Sequence, residues 1–428
     1  MNRLPLFLAL ALAACGGAGQ RKDNAPVAVS AIGGAVRADD PSAGILSNPA
    51  RVFLGATAQG LVRFDAQGQI EPGLAERWIV IDEGRSFIFR LSEAQWSDGE
   101  PVTADQVVRA LRRAIAPGSR NALAPFLAVI DEVVEMTPQV IEVRLKRPRP
   151  DLLRLFAQPE LAVMRTGSGS GPFRIAQSDA RGMLLRPVPD PNAPDDAGPA
   201  PEEMILLRGE RAAAALARFK DGQSDLILGG TFADWPIVAA AEIAPANIRN
   251  DSTLGMFGLA IVRRDGFLAD PGARAAIAMA IDREALTNAI SPGWKPIETL
   301  LPAQLDSAAL PAQPIWAPLT LDARRAGAAA AVAAWRRSHG TAPVLRIALP
   351  PGPGSTLVWA YFAEAMRAIG AEAVRVAFTD EADLRLIDAV APYDSGRWFG
   401  AMACSPCSDA ASLLVEAGRD APDLPTRA

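Results

Sequence analysis

The sequence predicts an α/β protein of two or three domains that folds outside the cytoplasm. Three observations carry this. Strand patterns alternate with helix patterns from Val27 onward, 428 residues give room for two or three domains of ordinary size, and an apolar N-terminal run ends in a cysteine.

Arg3 is followed by apolar residues from Leu4 to Ala14, interrupted by Pro5 alone. A membrane-spanning helix needs about 20 apolar residues, so residues 1–14 read as a signal peptide. Leu12-Ala13-Ala14-Cys15 resembles the lipobox of bacterial lipoproteins, in which the cysteine thiol is acylated before cleavage. Cys15 is therefore the expected lipidation site; an ordinary signal peptide with a chance cysteine is the alternative. Residues 15–26, Gly, Ala and polar with no apolar period, suit a flexible tether. No later apolar run is long enough to cross a bilayer. The 43 basic and 48 acidic residues are interspersed, which argues against a nucleic-acid partner, whose footprint would be a basic stripe.

Along the chain, Val27 to Ile32 reads as a strand, and Phe53 to Phe64 carries apolar residues up to a turn at Asp65–Gly68. Phe87, Phe89 and Leu91 share one face of a half-buried strand. Thr103 with Gln106 three residues on makes a capping box, opening a helix with Val107, Ala110, Leu111, Ala114 and Ile115 on one stripe. Val140 to Leu145 alternates as a strand, and the cluster Gly167–Gly171 before Pro172 suggests a crossing between domains. A helix over Arg211–Lys220 is followed by a strand ending at Gly229 and Gly230, and Leu254 to Val262 reads as another strand. Asp270 caps a helix with Pro271 in its first turn and Ile277, Ala280, Ile281 and Ala285 inward. Val344–Leu349, Ser355–Ile369 and Ala373–Phe378 form a strand, helix, strand unit.

The runs Gly60-Leu61-Val62-Arg63-Phe64, Pro72-Gly73-Leu74-Ala75-Glu76 with Trp78, Trp96-Ser97-Asp98-Gly99, Pro101 to Val107, Gly171-Pro172-Phe173 and Ala280 to Leu286 occur in one order along the chain. Together they resemble the family 5 extracytoplasmic solute-binding proteins, the oligopeptide and dipeptide receptors of ABC importers. The resemblance implies a two-lobed periplasmic-binding-protein-like fold of type II, with lobe I discontinuous and a ligand held between closing lobes. It implies a small-molecule or peptide ligand, permease subunits as partners, a membrane association through the lipid, no enzymatic activity and no cofactor; a monomer is expected. Lobe I is expected over 27–261 with an inserted subdomain at about 65–165, and lobe II over 262–428, with a C-terminal return to lobe I short or absent. The family also carries a Trp-containing strand followed by an Asp-rich, Pro-containing loop, where an Asp pairs with a peptide's amino group. Arg397-Trp398-Phe399-Gly400 matches the strand, which places Cys404 at the Asp and leaves Asp409 as the nearest carboxylate. The expected ligand contacts are thus Thr231, Phe232 and Trp235 after the earlier strand, and Trp398, Cys404 and Asp409 after the later one; core packing is the alternative for each Trp.

Other constellations have plainer readings. With Cys15 acylated, Cys404 and Cys407 remain as a pair, expected to form a structural disulfide in an oxidising compartment. Their position before a helix at Ser408–Ala417 also resembles a thiol-redox arrangement, but 21 residues after Cys407 are too few to complete such a domain. His339 ends an Ala-rich helix, where a cation is favourable, and one His with three Cys offers no zinc site. Gly352-Pro353-Gly354-Ser355 could cradle an anion but lacks the Lys of a phosphate loop. Two further possibilities stand beside the receptor reading: a degenerate receptor acting as envelope sensor or scaffold, and a redox lipoprotein using Cys404 and Cys407.

Overall fold

The computed structural model describes residues 24–149, 152–165, 167–189, 198–251, 253–303, 305, 310–392, 396–404 and 407–420. The expected signal peptide, the lipidation site Cys15 and the tether up to Asp23 lie outside the described residues.

The described chain opens with β1 (Val27–Ile32) and helix α1 (Asn48–Thr57). The sequence reading passed over α1, although Ser47 caps it by accepting from the Ala50 amide and Pro49 occupies its first turn. A hairpin of β2 (Val62–Phe64) and β3 (Ile70–Pro72) leads to β4 (Ala75–Ile81), β5 (Ser86–Leu91), helix α2 (Ala104–Ile115), the short α3 (Ala124–Leu127), β6 (Ile130–Thr137) and β7 (Val140–Leu145). The last four strands form an antiparallel sheet in the order β4-β5-β7-β6. Helix α2 seals one face of it with Val107, Val108, Leu111 and Ala114, all buried. At the start of α2, Gln106 Oε1 accepts from the Thr103 amide at 3.1 Å and from the Trp96 indole at 2.7 Å.

Helix α4 (Leu152–Phe156) and the small hairpin β8 (Met164–Arg165) and β9 (Ser168–Gly169) return the chain to the first sheet. A Cβ on Gly169 or Gly171 would lie 2.5 Å from the Ala58 backbone, so this Gly cluster is needed for close approach to the end of α1. It joins the inserted sheet to the first sheet and is not the crossing between lobes. Then β10 (Phe173–Asp179), β11 (Gly182–Pro187), β12 (Ile205–Glu210), helix α5 (Ala212–Lys220) and β13 (Leu226–Leu228) complete a five-stranded sheet ordered β10-β11-β12-β1-β13.

Beyond Leu228 the chain leaves that sheet through the short helix α6 (Trp235–Ala240). It continues as β14 (Gly255–Ile261), α7 (Pro271–Ala280), α8 (Arg283–Ile290), α9 (Leu321–His339), β15 (Val344–Leu349), α10 (Pro353–Ala368), β16 (Glu372–Ala377) and β17 (Leu384–Val390). These strands form a second sheet, β14-β17-β15-β16, with β14 antiparallel to β17 from Gly255 to Ile261. The lobe boundary expected at Ile261 therefore moves back before Gly255, because β14 takes its hydrogen bonds from the second sheet. The single helix expected after Asp270 is two: Asp282 caps α8 by accepting from the Ala285 amide at 2.9 Å, which ends α7 at Ala280.

After β17 the chain crosses back. Helix α11 (Gly396–Ala403) buries Trp398 and Phe399 in the first-lobe core beside Phe89, Leu152 and Phe156, and α12 (Asp409–Asp420) packs on α11, with Val415 3.5 Å from a Cβ placed on Gly400. Of the two expectations for the C-terminal return to lobe I, short or absent, the structure shows a short return through α11 and α12, so lobe II ends before Gly396. Its reason is apolar burial, since Trp398 and Phe399 find their core in the first lobe.

Candidate ligand site

Two segments join the lobes, and they touch. The amide of Ala391 donates to the carbonyl of Leu254 at 2.9 Å, and the Gln158 side chain of the first lobe donates to the carbonyl of Pro392 at 3.0 Å. On the first segment, Gly229 and Gly230 at φ +80° and +88° take the left-handed backbone that lets the chain leave β13. Thr231 to Asp234 then form a turn, in which the Thr231 hydroxyl accepts from the Ala233 amide and the Asp234 carboxylate accepts from the Thr231 amide, both at 3.2 Å. Phe232 is buried in the second-lobe core with its ring edge on Phe257, centroids 4.7 Å apart, while the Trp235 ring lies 5.6 Å from that of Trp294.

Phe257 and Trp294 line a cavity of about 630 Å³ in the second lobe. Leu259, Leu384 and Leu386 form its sheet wall, and Ile277, Ile281 and Phe362 its helix wall. That volume lies within the roughly 300–1,000 Å³ of small-ligand sites. Three cations also line it. The Arg274 guanidinium donates to the carbonyls of Leu268 and Ala269, and that of Arg283 donates to the carbonyl of Ala278 with Glu298 3.9 Å away. Burial pulls the Arg283 pKa down, opposed by the Glu298 charge. Lys295 is exposed.

The sheet wall continues past the cavity toward the carboxyl end of β17, the end at which α/β sheets commonly present ligands. There Asp388 pairs in register with Phe257, so the two side chains share the cavity-bearing face. Its carboxyl reaches solvent, yet the surrounding protein removes enough water to push its pKa up. The sequence reading missed Asp388 because it missed β17; the Leu384 and Leu386 alternation was the available signal.

The structure separates the six expected contact residues. Thr231, Phe232 and Trp235 lie on the crossing segment, and the rings of Phe232 and Trp235 back the two aromatics of the cavity. Trp398, 2% exposed, packs edge to face with Phe399 in the first-lobe core and does not line the cavity. Arg397 to Gly400 is helical and not the expected strand, and the preceding strand is β17. Cys404 and Cys407 are joined as a disulfide, Cα atoms 4.7 Å apart, which leaves no free thiol for a ligand. Asp409 is the exposed first residue of α12. The turn before α10 holds no open anion cradle: the Gly354 amide donates to the carbonyl of Ala233 at 3.0 Å. His339 stacks on Trp335 at the end of α9. Among the described residues, no group of three or more His, Cys, Asp or Glu is placed to hold a metal, and no helix is long and apolar enough to cross a membrane.

The family model for bacterial extracellular solute-binding proteins, family 5 middle, matches residues 69–390. The chain is similar to the periplasmic murein peptide-binding protein MppA of Escherichia coli, 25% identical over 273 residues, covering 55% of this chain and 50% of that protein. It is also similar to the periplasmic oligopeptide-binding protein OppA of Salmonella typhimurium, 26% identical over 300 residues, covering 60% of this chain and 53% of that protein. These alignments span about half the length of each relative. Among solved structures, Burkholderia pseudomallei OppA superposes with a TM-score of 0.78 at 19% identity, covering 94% of this chain and 89% of that one. A two-lobed type II periplasmic-binding-protein fold and a match over most of its length together place this chain among the bacterial extracellular solute-binding proteins of family 5, which are binding proteins and not enzymes.

Proposed function

We propose that this chain is the extracytoplasmic receptor of an ABC-type importer, that it captures a small solute of the peptide class as its lobes close, and that acylated Cys15 tethers it to the envelope membrane. The observation that carries the reading is the family match over residues 69–390, joined to a ligand-sized cavity beside the crossing segment. Peptides lead because relatives are named for murein peptides and oligopeptides, and Haemophilus influenzae OppA is seen with the peptide RPPGFSPFR. Related folds hold other solutes, including agropinic acid and Fe(III)-EDTA, so the scaffold alone does not fix the ligand. Capture is non-covalent: apolar burial in the cavity supplies affinity, and polar groups at its open end supply orientation. Permease subunits then receive the loaded, monomeric receptor.

The test is mass spectrometry of the full chain purified from membranes, for the lipid on Cys15 and any co-purified solute, followed by thermal unfolding with a peptide library. A peptide present at 100 times its Kd should stabilise the protein by about 2.7 kcal/mol. If no solute co-purifies and no peptide raises the melting temperature, the sensor or scaffold reading replaces this one. Two free thiols at Cys404 and Cys407 in freshly isolated protein, with insulin-reduction activity, would favour the redox reading.

A further inference from the structure

We propose that the second-lobe cavity is a site for an apolar carboxylate, an aliphatic or alicyclic body that ends in one anionic group. The inference goes beyond the receptor reading above, since it gives the cavity a solute that is not a peptide.

The charged side chains lining the cavity are Arg274, Arg283 and Lys295, all cations, with no Asp or Glu among the lining residues. Each guanidinium is tied by one nitrogen alone. Arg274 Nη1 donates to the carbonyls of Leu268 and Ala269 at 2.8 and 2.9 Å, and Arg283 Nη1 donates to that of Ala278 at 2.8 Å. Their Nε and Nη2 groups, which together form an edge able to grip a carboxylate through two parallel bonds, have no acceptor among the described residues. Glu298 does not cancel this charge. Its carboxylate lies 3.9 Å from Arg283 but is paired with Arg324, so one anion serves two cations. Lys295 is exposed while lining the cavity, which puts its charge at the open side, and it has no ion-pair partner among the described residues.

A cation held against apolar walls loses hydration without gaining a full partner, and burial accordingly pulls the Arg283 pKa down. An anion entering the cavity supplies that partner, whereas an ammonium meets three like charges. Leu259, Ile277, Ile281 and Leu384 then decide what carries the anion. Their side chains offer no hydrogen bonds, so the amides of a peptide main chain would be buried unpaired, and a hydrocarbon body would not. Positive charge at apolar walls therefore selects an amphipathic carboxylate.

Calorimetry with decanoate, decanol and decyltrimethylammonium, each kept below its micelle concentration, reads the sign of the site, because the three share one chain and differ in head charge. Decanoate should saturate one site per chain and bind at least about tenfold more tightly than decanol, the worth of one charge-assisted hydrogen bond. Decyltrimethylammonium should bind more weakly than decanol. Arg283→Gln, confirmed folded by circular dichroism, should bring decanoate to the level of decanol. Because Arg283 also faces Glu298, Arg274→Gln gives a second reading without breaking an ion pair, and it should weaken decanoate while leaving decanol unchanged. Leu259→Trp fills the cavity and should abolish decanoate binding, which locates the site inside the second lobe. If decanoate binds no better than decanol, keeps its preference in both arginine variants, or still binds Leu259→Trp, the site is wrong. Peptides that raise the melting temperature of a protein indifferent to decanoate would overturn this inference and leave the receptor reading standing; a protein that answers neither loses both.

Discussion

Each lobe holds a four-stranded sheet bearing a carboxylate on an inner strand, and the two sheets treat it in opposite ways. On β7, Glu142 accepts from the Ser86 hydroxyl at 2.6 Å and from the Arg144 guanidinium at 2.7 Å. The Arg144 bond first, then the Ser86 bond, hold its pKa below the usual carboxylate value against the opposing effect of burial. On β17, Asp388 is exposed and has no partner among the described residues, and the surrounding protein pushes its pKa up. The inserted sheet is also sealed on its Phe87 and Phe89 face, both rings being fully buried, whereas the second-lobe sheet opens into a cavity. A carboxylate that the fold satisfies belongs to the scaffold; one that the fold leaves unsatisfied beside a cavity is available to a ligand.

The largest effect that can break this comparison is a truncation on each sheet. Phe89→Ala removes a ring packed 5.6 Å from Phe156 and should cost about 3–5 kcal/mol. Leu386→Ala, on the cavity wall, should cost near the lower end for such a change, about 2 kcal/mol, because one side of Leu386 already faces empty volume. Urea unfolding of both variants checks this, and equal losses would mean that the two sheets are packed alike.

Next in size is Glu142→Gln, which removes one of the two carboxylates on the Arg144 guanidinium and should cost about 1 kcal/mol at neutral pH, toward the low end because Arg144 is half exposed and keeps Glu132 at 3.0 Å. The sign follows from the lowered pKa. Stability from Glu142 is present above the unfolded-state value of about 4.3 and is lost as pH falls through the folded value, so the two proteins should converge in acid. A pH-independent difference would assign the loss to shape and not to charge.

How far the sequence carried this comparison depends on the kind of information each residue needs. The α/β alternation, the caps at Thr103 and Asp270, and the helix ending at His339 are local patterns, and local chemistry suffices to read them. The matching runs from Gly60 to Leu286 named the family, because turn and core residues recur in order. The site was less legible. Trp398 looked like a ligand contact by its neighbours in sequence, but its burial is set by a core assembled from residues near position 89 and position 156. Asp388 acquires meaning only through strand register, which places it opposite a residue 131 positions earlier (388 − 257), and periodicity along one strand does not encode that partner.

The smallest effect is the sharpest test, because its direction reverses the usual outcome of removing a charged side chain. Asp388 has a raised pKa in the folded protein, so ionising it favours the unfolded chain. At neutral pH both states are ionised and the folded state carries the full penalty. As pH falls through the folded pKa toward the unfolded value of about 3.9, the folded state takes up its proton first, and the penalty fades. Asp388→Asn removes the charge while keeping the shape. The unliganded variant should therefore melt slightly above wild type at pH 7, and the gap should close toward pH 4. Glu142→Gln should melt below wild type at pH 7, also converging in acid, so the two variants bracket the wild type from opposite sides. Scanning calorimetry of the three unliganded proteins at pH 4, 5, 6 and 7 reads both differences together. If Asp388→Asn is the less stable at pH 7, then Asp388 has a partner in solution, and the contrast between a satisfied scaffold carboxylate and an unsatisfied ligand carboxylate does not hold. If it is more stable while binding its ligand less well, the protein keeps a destabilising charge for the sake of recognition, as binding sites with unpaired polar groups do.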